Sequence, residues 1–133
     1  MPSRGSLHHV EIWVVDLPRA QATLGWLLGE LGYEQRSRWS TGVSWQAGET
    51  YLVLEAGPDV LAERHERRRP GLNHLAFHAG SRAQVDALVE RARAHGWSLM
   101  FADRHPWAGG PDHYAGYLED ADGFEVELVA DPT

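Results

Sequence analysis

The sequence predicts an α+β fold built from two tandem βαβββ modules. Three observations favour it: short runs of alternating apolar and polar residues, two stretches with apolar residues at helical spacing, and a repeat that relates the two halves. The repeat aligns Leu7-His8-His9-Val10 with Leu72-Asn73-His74-Leu75, and Gly32-Tyr33 with Gly96-Trp97. A period above 60 residues indicates a duplicated module rather than a solenoid.

The first module begins with a strand predicted over residues 7–15, in which apolar and polar residues alternate. A helix follows, opened by Asp16-Leu17-Pro18 and ended by Gly32. Turn residues then separate three further short strands, which we expect at 33–40, 42–47 and 50–56.

The second module repeats this order, beginning with the strand at 72–79. Ser81 is a candidate N-cap for a helix that ends at Gly96. A long loop is predicted at 102–112, and the remaining strands at 97–101, 113–119 and 124–130. We expect a single domain over 1–133, with module 1 at about 6–57, a linker at 58–70 and module 2 at about 71–131.

Composition narrows the function. The 133 residues carry a formal net charge of −7, which does not favour a nucleic-acid-binding surface. The basic run from Arg64 to Arg69 is typical of a solvated linker. No apolar segment is long enough for a membrane span or a secretion signal, so we expect a cytoplasmic protein. The chain has no cysteine, so any metal site must use His, Asp and Glu.

One candidate metal ligand lies on the non-core face of each of the four best strands: His9, Glu55, His74 and Glu127. The repeat is extended by aligning Leu54-Glu55 with Val126-Glu127. Two imidazoles and two carboxylates suit one divalent ion of Fe, Mn, Co, Ni or Zn. A single strand histidine or glutamate is usually an ordinary surface residue. The metal-site hypothesis therefore depends on the four residues occurring together.

The sequence resembles the vicinal oxygen chelate superfamily, which includes glyoxalase I, extradiol dioxygenases, fosfomycin resistance enzymes and metal-free bleomycin-binding proteins. The matching segments are His8-His9-Val10, Trp26 to Leu31-Gly32, Leu72-Asn73-His74-Leu75 and Asp120 to Leu128. The resemblance implies a curved, cup-shaped mixed sheet with helices on its outer face, and a homodimer. It places metal ligands at His9, His74 and Glu127, with Glu55 at the fourth ligand position of glyoxalase I.

The first functional expectation is metal-dependent lyase or isomerase chemistry of the glyoxalase type on a small, metal-chelating, oxygenated substrate. Glu127 or Glu55 would then be the catalytic base. Two alternatives remain. One is a metal-free protein that sequesters an aromatic compound or antibiotic, with Trp13, Trp45 and Trp107 stacking on it. The other is an Fe(II) extradiol-type dioxygenase.

Aromatic and cationic residues supply the candidate substrate contacts. Aromatic side chains are more often core residues than ligand contacts, but Trp107 lies in a Gly/Pro-rich loop where burial is not forced. Arg104 could bind a carboxylate or phosphate. The full set of candidates is Trp13, Trp45, Tyr51, His78, Arg104, His105, Trp107, His113 and Tyr114, together with Tyr117.

Overall fold

The structure is a computed structural model that describes residues 1–132. The chain divides into two compact units, the first ending at Glu63 and the second beginning at Arg64. Each unit contains one βαβββ module, so the α+β class and the tandem modules are confirmed. In the part of the chain described, the strands form two four-stranded mixed sheets, one in each module.

The first module contains four strands and one long helical segment: β1 (His9–Trp13), α1 (Leu17–Ala20), a π-helical turn (Gln21–Gly25), α2 (Trp26–Glu30), β2 (Glu34–Trp39), β3 (Gly42–Ala47) and β4 (Thr50–Glu55). The strand order is β1-β4-β3-β2, with β1 parallel to β4. The side chain of Asp16 accepts a hydrogen bond from the Arg19 backbone N–H at 2.9 Å. This N-cap is the one predicted from the sequence.

The second module has the same plan: β5 (Leu75–His78), α3 (Arg82–Ala92), a 3₁₀ turn (Arg93–His95), β6 (Trp97–Leu99), β7 (Ala115–Asp120) and β8 (Glu125–Val129). Its strand order, β5-β8-β7-β6, repeats that of the first module. Ser81 and Gln84 form a reciprocal capping box at the start of α3. Several strands are one to four residues shorter than predicted, because backbone pairing stops before the alternating pattern does.

Each sheet buries one face. In the first module Leu27, Leu54 and Val43 are fully buried, and in the second module Val85 and Leu128 are too. Residues on the opposite side of each strand alternate with these core residues. The polar and ionisable side chains discussed below therefore occupy the face that the helices leave uncovered.

The basic run lies in the second unit and part of it packs there, although Arg64, Arg68 and Arg69 are exposed. Arg64 Nη2 lies 3.0 Å from Glu119 Oε1, and Arg67 Nε lies 3.3 Å from Glu125 Oε1. The His65 ring stacks on Phe124 with centroids 4.7 Å apart. These partners come from distant positions in the chain, so a local charge pattern could not reveal them. In residues 1–132 no helix is both long and apolar enough to cross a membrane.

We predict that Gly123→Ala destabilises the protein far more than Gly32→Ala. Both glycines have left-handed backbone conformations, with φ values of 89° and 94°, so each alanine costs about 1 kcal/mol. A Cβ at Gly123 would also lie 2.0 Å from the His65 carbonyl oxygen, whereas one at Gly32 meets no atom within 4 Å. The expected loss for Gly123→Ala is about 3 kcal/mol or more. Equal shifts in urea unfolding would contradict the packing of His65.

Candidate functional site

A buried glutamate organises the open face of the second sheet. Glu127 is 5% exposed and lies in β8, opposite Ala76 in the parallel β5–β8 ladder. His74 immediately precedes β5, and its Nε2 lies 3.0 Å from Glu127 Oε1. The other ring nitrogen, Nδ1, lies 2.7 Å from Asn73 Oδ1. If Nδ1–H donates to Asn73, the Nε2 lone pair faces the carboxylate.

Two side chains associated with β7 complete the surroundings of this carboxylate. His113 Nε2 bonds to Glu127 Oε2, and the Tyr117 hydroxyl donates a hydrogen bond to Glu127. Tyr117 faces Glu127 directly in the antiparallel β7–β8 register. Burial, followed by the negative charge of Glu127, raises the pKa of Tyr117 to about 12. The phenol is therefore a hydrogen-bond donor throughout the physiological pH range.

Gly109 allows this close packing. A Cβ at this position would lie 2.6 Å from both the Tyr117 hydroxyl and His113 Cδ2. The loop backbone can therefore approach both side chains only because residue 109 has no side chain. The long loop after β6 thus contributes a backbone wall beside the Glu127 cluster.

Glu125 is a second buried carboxylate on the same face, two residues before Glu127. It is 5% exposed, and burial raises its pKa, against the opposing effect of the Arg67 charge. Its Oε1 atom has no hydrogen bond, although Arg67 Nε approaches within 3.3 Å. The sequence indicated neither the burial of Glu125 nor its pairing with Arg67.

The first module presents an aromatic and polar face. The rings of His9 and Tyr51 stack with centroids 4.8 Å apart and planes 4° apart, and His9 Nδ1 lies 2.9 Å from His8 Nδ1. These rings border a cavity of about 420 Å³. Its lining residues are His9, Glu11, Arg36, Ser37, Trp39, Ser44, Gln46, Tyr51 and Val53.

Glu55 does not occupy the position equivalent to Glu127. In the second module, Glu127 lies opposite Ala76, two residues beyond His74. In the first module the residue two beyond His9 is Glu11, and Val53 lies opposite it. The alignment of Glu55 with Glu127 is therefore displaced by two residues. A displacement of two keeps a side chain on the same face, so alternation alone could not detect it.

The surroundings of Glu55 are consistent with a local structural role. Its carboxylate accepts a hydrogen bond from Trp39 Nε1 at 3.2 Å. The hydroxyl of Thr41 donates to it and is the largest cause of a lowered Glu55 pKa. Glu55 pairs with Trp13 in the β1–β4 ladder, four residues along β4 from the level of His9, or about 13 Å. The predicted pairing of His9 with Glu55 as ligands is thus not supported by their separation.

Several predicted substrate contacts lie on the helix side of the sheets. Trp45 Nε1 donates to Gln21 Oε1 at 2.9 Å, and its ring packs near Gly25 and Gly29. Trp45 therefore faces the helical segment rather than the cavity. In the second module a Cβ added to Gly116 would meet His105 at 3.5 Å and Val89 of α3 at 2.6 Å. This places His105 on the side of α3.

Trp107 and Tyr114 form a separate cluster with α3. Their ring centroids are 5.3 Å apart, and Arg82 Cζ lies 5.4 Å and 4.9 Å from the two centroids. The Tyr114 hydroxyl donates to Asp86 at 2.6 Å. Tyr114 and His113 are adjacent in sequence and point to opposite sides, so only His113 reaches Glu127.

The remaining predicted contacts stay on the open faces. Trp13 is 50% exposed and donates from Nε1 to Glu11 at 2.7 Å. His78 is exposed and lies opposite Val129 in the β5–β8 ladder. Arg104 is exposed, and its guanidinium carbon lies 5.1 Å from the Phe101 ring centroid.

Besides Glu125, the residues that sequence reasoning missed include Arg36 and Trp39 at the first-module cavity, and Arg67 and Phe101 beside the Glu127 cluster. The position of Trp39 at the end of a predicted strand could have indicated that it lies on a sheet face. No local signal identified the other three. Among residues 1–132 no group of three or more His, Asp or Glu side chains is arranged so that it could hold a metal ion.

Comparison with known proteins agrees with the fold. The family model for the glyoxalase/bleomycin resistance protein/dioxygenase superfamily matches residues 8–117. Protein YqjT of Bacillus subtilis strain 168 is 47% identical over 125 residues, which cover 93% of this chain and 98% of YqjT.

Two solved structures add to this comparison. A putative glyoxalase from Bacillus halodurans is 49% identical, with a TM-score of 0.90 over 96% of this chain and 97% of that one. The fosfomycin resistance protein FosX of Listeria monocytogenes is 25% identical, with a TM-score of 0.69 over 98% of this chain and 95% of its own. On these matches, the chain belongs to the glyoxalase/bleomycin resistance protein/dioxygenase superfamily.

Proposed function

We propose that the protein is a divalent-metal-dependent enzyme of the glyoxalase type, which acts as a lyase or isomerase on a small, metal-chelating, oxygenated substrate. The observation that carries the proposal is the 3.0 Å approach of His74 Nε2 to the buried Glu127 carboxylate. An imidazole and a carboxylate directed at one another are the donors that first-row divalent ions use. The resemblance to metal-containing superfamily members supports the same proposal.

Two residues of the second module, His74 and Glu127, have the donor types and the spacing to contribute two ligands to a metal ion. Asn73 can hold His74 Nδ1, so that an ion could take the place of the contact between His74 Nε2 and Glu127 Oε1. Glu127 is a buried carboxylate, and a cation would offset the cost of its burial. A bound ion would supply Lewis acidity that stabilises negative charge developing on a substrate oxygen. His9 is the third ligand that the family resemblance predicts, whereas Glu55 is left out of the proposed set.

The proton-handling group in this proposal is Glu127 with its partners. Its Oε2 bonds to His113 Nε2, and the His113 side chain is 40% exposed. A proton taken from substrate by the carboxylate therefore has a path to solvent through the imidazole. Tyr117 keeps its own proton and orients the carboxylate. This gives His113 and Tyr117 different roles beside the same glutamate.

We predict that His74→Ala and Glu127→Gln abolish metal retention, whereas Glu55→Gln does not. The reason is that only the first two residues converge in the structure. Elemental analysis after loading with Ni, Co, Mn, Fe or Zn measures retention, and circular dichroism checks the fold of each variant. His9→Ala tests the ligand predicted from the family. A His74→Ala protein that still holds one ion per chain would overturn the metal assignment.

The Tyr117 pKa gives a second prediction, made for metal-free protein. Its folded value of about 12 exceeds the value of about 10 for an unfolded tyrosine. The associated stability is therefore complete below pH 10 and lost as pH rises towards 12. Glu127→Gln removes the carboxylate charge, so the Tyr117 pKa should fall. Ultraviolet titration of tyrosinate, with Tyr117→Phe as reference, measures it, and an unchanged pKa would contradict the proposed contact.

A second candidate function is metal-free sequestration of an aromatic compound. The first-module cavity favours it, because Trp39 and Tyr51 line it and Trp39 is 39% exposed. Ligand-induced stabilisation that persists in Glu127→Gln and is lost in Tyr51→Ala would favour this function. Oxygen consumption with a catechol would instead indicate an Fe(II) extradiol-type dioxygenase.

A further inference from the structure

Phe101 is held in an unusual backbone conformation beside the Glu127 cluster. Its φ of 54° is the only positive value at a non-glycine residue in the described chain. Such strain persists where the surroundings fix it, and it is frequent at ligand clamps. The Phe101 carbonyl accepts hydrogen bonds from the backbone N–H groups of Arg104 and His105, both at 2.9 Å. This tight turn fixes the position of the Arg104 backbone relative to Phe101.

Two guanidinium groups lie against the Phe101 ring. The Cζ atoms of Arg104 and Arg67 are 5.1 Å and 5.8 Å from its centroid. Arg67 is compensated, because its Nε lies 3.3 Å from the buried Glu125 carboxylate. Arg104 is exposed and has no ion pair among residues 1–132. Arg104 thus supplies a positive charge that no carboxylate in this part of the chain neutralises.

This cation is connected to the proposed reaction centre by two contacts. The Phe101 ring meets the Tyr117 ring edge-on, with centroids 5.6 Å apart. The Tyr117 hydroxyl in turn donates to Glu127. Arg104 is therefore linked to Glu127 through the rings of Phe101 and Tyr117, and a substrate held at both ends would lie along these rings.

We propose that Arg104 binds an anionic group of the substrate, a carboxylate or a phosphonate, with Arg67 beside it. The inference rests on the proposed function, since it assigns the other end of the substrate to the His74 and Glu127 donors. A guanidinium presents a planar fork of donors that matches either oxyanion. Phe101 supports that fork from one side, so the charge is presented without an internal counter-ion. The substrate class is thus a small oxygenated acid.

The test is binding of two probes, methylphosphonate and acetate, measured by isothermal titration at constant ionic strength. Arg104→Met keeps an apolar stem over Phe101 and removes the charge, and Arg104→Lys restores the charge without the fork. Arg93→Met is the matched control, because Arg93 is paired with Glu90 on the second module. We expect Arg104→Met to weaken binding about tenfold, Arg104→Lys to recover part of it, and Arg93→Met to have no effect.

Metal retention measured on the same variants separates the two proposals. Arg104→Met should keep the ion, since it changes neither His74 nor Glu127. If Arg104→Met binds the probes as the unaltered protein does, the anion site is wrong while the metal proposal stands. If the probes bind through Arg104 but no variant retains an ion, the anion site stands and the metal proposal fails. The probe that binds more tightly then shows whether the site prefers a phosphonate or a carboxylate.

Discussion

The structure of the second module depends on satisfying one buried carboxylate. Glu127 is 5% exposed in the middle of β8, and an isolated charge there would cost several kcal/mol. Three side chains from separate segments contact this carboxylate and offset that cost: His74 before β5, His113 before β7 and Tyr117 within β7. The strand order β5-β8-β7 is what brings them together, because it places β8 between the two strands that supply the donors.

The same arrangement would couple the proposed chemistry to the stability of the fold at Glu127. The partners that make the burial of Glu127 tolerable are also groups that can bind an ion, pass a proton or orient a carboxylate. The charge of Glu125, two residues away, is compensated differently. One arginine from the segment before β5 approaches it, and its Oε1 atom has no hydrogen bond. Glu125 and Glu127 thus lie on one strand but have different partners, so they are suited to different roles.

The sequence predicted the fold, and the limits of its site prediction have physical reasons. Alternation indicated which strand residues share a face, and the structure brings two of the predicted ligands, His74 and Glu127, within 3.0 Å of each other. Alternation has a period of two, so it could not detect that Glu55 is two residues out of register with Glu127. In the loop between β6 and β7 there is no periodicity, and Trp107 and Tyr114 were placed with the substrate although α3 holds them.

The two modules have diverged at equivalent positions, and ladder register is the measure that reveals it. His9 lies within β1 and His74 immediately precedes β5, and the residues two positions beyond them, Glu11 and Ala76, lie opposite Val53 and Glu127, respectively. In the first module His9 stacks on Tyr51, and in the second His74 meets a carboxylate. The two histidines therefore have different surroundings. His9 forms part of the aromatic wall of a cavity, and His74 is a candidate metal ligand beside a buried carboxylate. The two modules thus share a strand plan, whereas the buried carboxylates of the candidate site lie on the second sheet.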